Sequence, residues 1–109
     1  MLVTTQDELS DYQITKTLGL VKGNTIRARH IGKDILAALR SMVGGEISEY
    51  TKMIAESREQ ALDRMIGQAQ EMGADGIVCV RYTTTAVLSG SAELFVYGTA
   101  VKLDKNSIT

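Results

Sequence analysis

Residues 50–80 read Tyr50-Thr-Lys-Met-Ile-Ala-Glu-Ser-Arg-Glu-Gln-Ala-Leu-Asp-Arg-Met-Ile-Gly-Gln-Ala-Gln-Glu-Met72, then Gly73-Ala74-Asp75-Gly76, then Ile77-Val78-Cys79-Val80. At about 100° per residue, Tyr50, Ile54, Ala61, Leu62, Met65, Ile66, Ala69 and Met72 fall in one broad arc, and most charged residues fall outside it. Ala, Leu, Met, Gln, Glu and Arg dominate, and all favour helix. Gly73 is the expected stop, because glycine enters the left-handed conformation at low steric cost. Gly67 is an internal weak point, costing ~1 kcal/mol against alanine, and implies close approach by another backbone. Arg58 falls inside the arc, between Ile54, Ala61 and Met65. Either its stem lies along the core with the guanidinium at the edge, or it pairs across a subunit interface, since a lone buried charge is too costly.

Downstream, Ile77 to Thr85 is crowded with β-branched and aromatic residues and predicts a strand. Leu88 to Ala92 reads as a loop. Glu93 to Leu103 predicts the partner strand of an antiparallel hairpin. Phe95, Tyr97, Thr99 and Val101 share one face of it; Leu94, Val96 and Ala100 share the other. Upstream, Leu2 to Thr5 predicts a short strand, and Asp7 to Asp11 a turn. Tyr12 to Val21 predicts a half-buried strand with Tyr12, Ile14, Leu18 and Leu20 on one parity. Lys22-Gly23-Asn24 reads as a turn, and Thr25 to His30 fits either a short strand or an irregular approach. Ile31 to Val43 carries apolar residues at helical spacing. Gly44-Gly45 ends that helix, and Ser48 is the expected N-cap of the next.

These elements define an α+β class: an antiparallel sheet with two helices on one face, as a single domain over 1–103 with a polar tail at 104–109. Both faces of the terminal hairpin are apolar. Helices cover only one, so a second copy of the chain is expected to cover the other.

The 109 residues suit one domain with a real core. A net charge of −1 gives no basic footprint for nucleic acid. The single cysteine excludes an internal disulfide. No apolar run approaches the ~20 residues of a membrane span. The opening Met1-Leu2-Val3 runs into polar residues rather than a leader-like stretch, so a cytoplasmic protein is expected.

Taken together and in order, several short motifs carry a resemblance. They are Leu18-Gly19-Leu20-Val21-x-Gly23, Ile31-x-x-Asp34, Val43-Gly44-Gly45, Tyr50, Arg58-x-x-Ala61, Gly73-Ala74-Asp75 and Gly98-Thr99-Ala100-Val101. Over residues 1–103 the chain resembles the YbjQ family, a largely uncharacterised group labelled "putative heavy-metal-binding". The resemblance implies a two-layer α+β subunit in a homopentameric ring, neighbouring sheets extending one another. The chain departs from the commoner pattern at Ala28-Arg29-His30, where Gly-Ala-Asn is usual, and at Glu46-Ile47-Ser48, where Arg-Ser-Gly is usual.

A tight zinc site takes about four ligands, and this chain has one His and one Cys. His30 and Asp34, at i and i+4, would share a face of a helix that began that early. Five copies around a ring could add more ligands; otherwise His30 is a surface residue and Asp34 a cap or ion-pair partner. Cys79 reads as a small buried apolar side chain. The methionines at helical spacing read as core. Glu46, Tyr50 and Arg58 could converge at the start of the main helix. The expected function is a pentameric assembly holding a small ligand or an ion at subunit boundaries, without catalysis. The alternatives are an enzyme with a composite site from Arg58, Tyr50, Asp34 and His30, and a heavy-metal sequestration protein.

Overall fold

The computed structural model describes residues 1–27, 48–86 and 92–105, without the side chains of 26–27, 48–53, 86 and 92. In chain order the elements are β1 (Leu2–Val3), β2 (Tyr12–Arg27), α1 (Ser48–Glu71), β3 (Gly76–Ala86) and β4 (Ala92–Lys105). The strands form one four-stranded sheet, ordered β1-β3-β4-β2. β4 pairs antiparallel with both β3 and β2. The class is α+β, as the pattern of elements predicts. The helix expected over Ile31 to Val43 lies outside the described residues.

The sheet is mixed, which corrects the expectation of an antiparallel one: β1 lies parallel to β3. A two-residue strand has too little periodicity to fix its direction from sequence. The open edge of β3 captures it. Leu2 N–H donates to the Asp75 carbonyl at 3.3 Å and Thr4 N–H to that of Ile77 at 3.0 Å, while Val80 N–H donates back to Thr4 at 3.1 Å.

α1 ends where the glycine predicts. Gly73 has φ +76°. Its N–H donates to the Gln70 carbonyl at 3.0 Å, and Ala74 N–H reaches the Ala69 carbonyl at 3.1 Å. That pair of bonds is a Schellman motif, which satisfies carbonyls the helix would otherwise leave orphaned.

α1 then packs antiparallel along β2, and one glycine makes this possible. Lys22-Gly23-Asn24 does not turn; β2 runs straight through it. A Cβ at Gly23 would fall 2.6 Å from the Met65 amide nitrogen and closer still to the Ala61 carbonyl oxygen. The strand therefore touches helix backbone here, and any side chain would push the layers apart. The close approach expected at Gly67 is not made by any described residue: among them nothing lies within 4 Å of a Cβ built there.

The face of α1 that meets the sheet is correspondingly small. Ser57, Ala61, Met65 and Ala69 are fully buried, while Ile54, Leu62 and Ile66 flank them half-buried. They pack over Val21, Val96, Ala100, Ile77 and Val80. Arg58 is exposed, one position off the buried stripe. The sequence arc centred on the largest apolar residues; the helix instead centres on its smallest, because closeness to Gly23 sets the seam. The buried Thr25 hydroxyl is satisfied by donating to the Ser57 main-chain carbonyl at 3.1 Å.

Two irregularities in β2 reset the alternation predicted from Tyr12 onward. The register with β4 shifts between Ile14 and Lys16 and again between Thr17 and Gly19. Each extra residue exchanges the two faces of the strand. The two exchanges cancel: Leu20, opposite Thr99, keeps the face of Tyr12 and Ile14, away from the helix and 66% exposed, while Val21 is buried and Leu18, at the second irregularity, packs against the core. β4 also runs to Lys105, two residues beyond the predicted end.

Candidate functional site

Facing pairs assign each side chain to a side of the sheet. Val21 lies opposite Gly98, Gly23 opposite Val96 and Thr25 opposite Leu94; all are buried under α1. The residues between them point to the other side. There, Lys22 lies opposite Tyr97 and Tyr97 opposite Arg81, one transverse row across three strands. The adjacent row is Asn24, Phe95 and Thr83.

Both cations of the first row and Tyr97 reach solvent. The rings of Phe95 and Tyr97 sit 5.6 Å apart, tilted by 34°. Asn24 Nδ2 donates to the Glu93 carboxylate at 3.2 Å, which ties down the acidic neighbour. The Arg81 guanidinium is anchored through Nη1, which donates to the carbonyls of Thr5 at 3.0 Å and Val80 at 2.9 Å. Toward the other end of the same face, Val78 and Val101 are buried. The chain from Thr4 to Asp11 carries from the β1 edge to the β2 edge, with Leu9 half-buried along it. The open part of the face therefore runs from Leu20 toward Phe95.

The free edge of β2 is partly closed by the helix above it. Lys22 N–H donates to Gln68 Oε1 at 2.7 Å, and Arg64 Nη1 donates to the Asn24 carbonyl at 2.6 Å. These are the outward-facing backbone groups of an edge strand, which would otherwise template another chain. Along β3, residues 2–6 cover the outer edge only as far as Val80.

On the helix side, Arg58 and Glu59 lie near Tyr82. The Tyr82 hydroxyl is pushed above its usual range by partial burial first, then by the Glu59 carboxylate, with Arg58 opposing. Tyr82 is a neighbour of Arg58 that no sequence spacing points to. Tyr50 itself lies in the first turn of α1, its side chain outside those described, and His30, Asp34 and Glu46 lie outside the described residues. Of the five predicted site residues, Arg58 alone has a side chain among those described.

Cys79 is a correction. It is half-exposed rather than buried. It adopts φ +57°, a left-handed conformation unusual for a non-glycine residue, at the register shift between Val78 and Arg81. Its N–H donates to the Gln6 carbonyl at 3.0 Å. The apolar run Ile77 to Val80 gives no sign of a bulge.

At the opposite end of the sheet, Asp75 fastens the turn after α1 to β4. Its Oδ2 accepts from Leu103 N–H at 2.9 Å, and its Oδ1 lies 3.4 Å from Lys102 Nζ, which also donates to the Gly73 carbonyl at 3.0 Å. The Leu103 bond, more than the Lys102 charge, holds the carboxyl below its ordinary value against some desolvation.

A four-stranded mixed sheet with a helix laid along its edge strand defines a two-layer α+β protein. The chain belongs to the YbjQ family, whose model, described as "Putative heavy-metal-binding", matches residues 1–104. It is 60% identical to a UPF0145 protein of Methanococcus vannielii, covering 96% of this chain and all of that one. It is 52% identical to a UPF0145 protein of Methanosarcina acetivorans, covering 94% and 97%. Among solved structures it resembles a protein of unknown function, assigned to the DUF74 family, from Pediococcus pentosaceus. The TM-score is 0.63 at 19% identity, covering 95% of this chain and 98% of that one, a likeness of fold.

The family description invites a test of the donor set. Among the described residues no three His, Cys, Asp or Glu side chains gather as a metal ion would need. The described residues do not fit a heavy-metal centre. No described helix is long and apolar enough to cross a membrane.

Proposed function

We propose that the protein is an assembly module: copies associate into a ring that holds a small ligand or an ion at its subunit boundaries, without catalysis. The observation that carries this is the outer face of the sheet along β2, where Leu20 is 66% and Tyr12 39% exposed. An apolar strip of this kind on a small domain marks an interaction surface. The edges support the same reading. Tyr12–Leu20 of β2 and Arg81–Ala86 of β3 are edge stretches at opposite corners of the sheet, beyond the caps from Gln68, Arg64 and residues 2–6. Joining unlike edges is a head-to-tail contact, which closes into a ring when the rotation allows. A stoichiometry of five is what the resemblance to the YbjQ family implies.

Light scattering on the dilute protein tests the reading. The expected result is one species of five chain masses, shifted to smaller masses by Leu20→Ser. A stable single chain overturns it. The heavy-metal reading, offered by the family description, has its own check. Calorimetry with zinc, copper and cadmium should give heat that His30→Ala removes if that reading holds; equal heat in both proteins removes its basis.

A further inference from the structure

We propose that the outer-face row Lys22–Tyr97–Arg81 is a binding site for a free nucleoside monophosphate, the base lying on the Tyr97 ring and the phosphate held by the flanking cations. The inference goes beyond the assembly reading, since the row lies wholly within one chain and not at a subunit boundary.

The geometry carries it in three steps. First, Lys22, Tyr97 and Arg81 are direct cross-strand neighbours on one face. Adjacent strands lie about 4.8 Å apart, so the two cationic residues start about 10 Å from each other with the ring between them. The long flexible stem of Lys22 lets its head group reach a phosphate beside a stacked base, while Arg81, tethered through Nη1, offers its remaining N–H groups from a fixed position. Second, the ring is supported from beside. Phe95 is half-buried next to it at 5.6 Å, and among the described residues that is the one aromatic contact. A stacking surface of this sort accepts any base, because every base has a π-face. Third, the two rows carry Lys22 and Arg81 and no carboxylate of their own. Glu93, the nearest outer-face carboxylate on β4, is engaged by Asn24 at 3.2 Å. Arg81 is pre-positioned by its two backbone contacts through Nη1, so its fork is held in place before a ligand arrives.

A small ligand is favoured over a nucleic-acid strand by the charge of the whole chain. Binding a polyanion depends on neutralising many phosphates, and a net charge of −1 provides no track of cations for that. Two cations suffice for one phosphate.

The test is a titration of the full chain with AMP, adenosine and the single strand dT10, at low and high salt. It is run on the parent, Tyr97→Leu, Lys22→Gln and Lys22→Arg. Circular dichroism confirms that each variant folds; Lys22 and Tyr97 are exposed, so the fold is expected to survive. AMP should bind, and adenosine more weakly. Tyr97→Leu and Lys22→Gln should each weaken AMP roughly tenfold, the size expected for a lost stacking or charge contact. Lys22→Arg should restore most of the loss, and salt should weaken AMP more than adenosine. The inference is overturned if AMP fails to bind at millimolar concentration, if neither variant weakens it, or if dT10 binds more tightly than AMP. Light scattering on the same samples separates the two readings. A single chain that binds AMP removes the ring and leaves this site standing; a ring that ignores AMP removes the site alone.

Discussion

On the helix side of the sheet, Gly23 lies against the backbone of α1, and Val21, Val96 and Ala100 are sealed beneath Ala61, Met65 and Ala69. One residue along each strand, Lys22, Tyr97 and Arg81 reach solvent. The same strands supply both faces, since successive side chains point to opposite sides. The first face is packed on small groups at backbone contact and leaves no room for substitution. The second is built from long polar stems around two rings and tolerates change. Stability should reside on one and recognition on the other.

The sharpest way to break that division is to empty its core. Met65→Ala should cost about 3 kcal/mol in urea denaturation, the usual toll of a large buried side chain removed from a close-packed site. Leu20→Ser on the open face should leave the folding stability of the chain within about 0.5 kcal/mol. If the two substitutions cost the same, the faces are not specialised.

Next in size is Gly23→Ala, expected to cost about 2 kcal/mol by overpacking. The methyl group meets helix backbone rather than a movable side-chain end, so relief requires α1 to shift as a whole. Gly67→Ala is the control. That position is open, and alanine favours helix by about 1 kcal/mol, so stability should rise. A neutral Gly23→Ala would show that the two layers are not in backbone contact.

Thr25→Val follows. It removes the 3.1 Å bond to the Ser57 carbonyl while keeping the side-chain shape, and should cost about 1 kcal/mol. A gain in stability instead would mean that the buried hydroxyl is a burden to the seam.

Much of this layout is readable from residue order. The helical period from Ile54 to Met72, the Gly73 stop and the alternation in Glu93 to Leu103 each correspond to an element that forms. What escapes is set by contacts between elements. Gly23 looks like a turn residue because glycine's demand for space and its freedom of conformation leave the same mark in a sequence. Arg58 seemed central to the helix face because large side chains outweigh Ala61 and Ser57 in any hydrophobic count, although close approach favours small ones. Leu18 leaves the face of Tyr12, Ile14 and Leu20 because bulges have no apolar signature. For the candidate site the legible part is smaller still. Of its five predicted residues only Arg58 has a described side chain, and its neighbour is Tyr82, a residue that sits on a distant strand and is linked to it by no sequence spacing.

The weakest expected effect concerns the end of the sheet, where both faces share one fastening. Asp75 accepts a bond from Leu103 N–H and neighbours Lys102, and its folded-state pKa lies below the ordinary 3.8. A carboxyl lowered on folding binds fewer protons in the native chain than in the unfolded one. Its contribution is therefore complete above the ordinary aspartate range and disappears as pH falls through the depressed native value. Denaturation midpoints measured from pH 6 down to pH 2 should show this loss in the parent. Asp75→Asn, which keeps an acceptor for Leu103 but cannot titrate, should be less stable than the parent at pH 6 and converge with it at the acid end. Lys102→Met should narrow the gap only slightly, because the backbone bond outweighs the exposed ion pair. If Lys102→Met removed the whole acid dependence, the order of those two causes would be reversed, and the junction would be held by charge rather than by the strand.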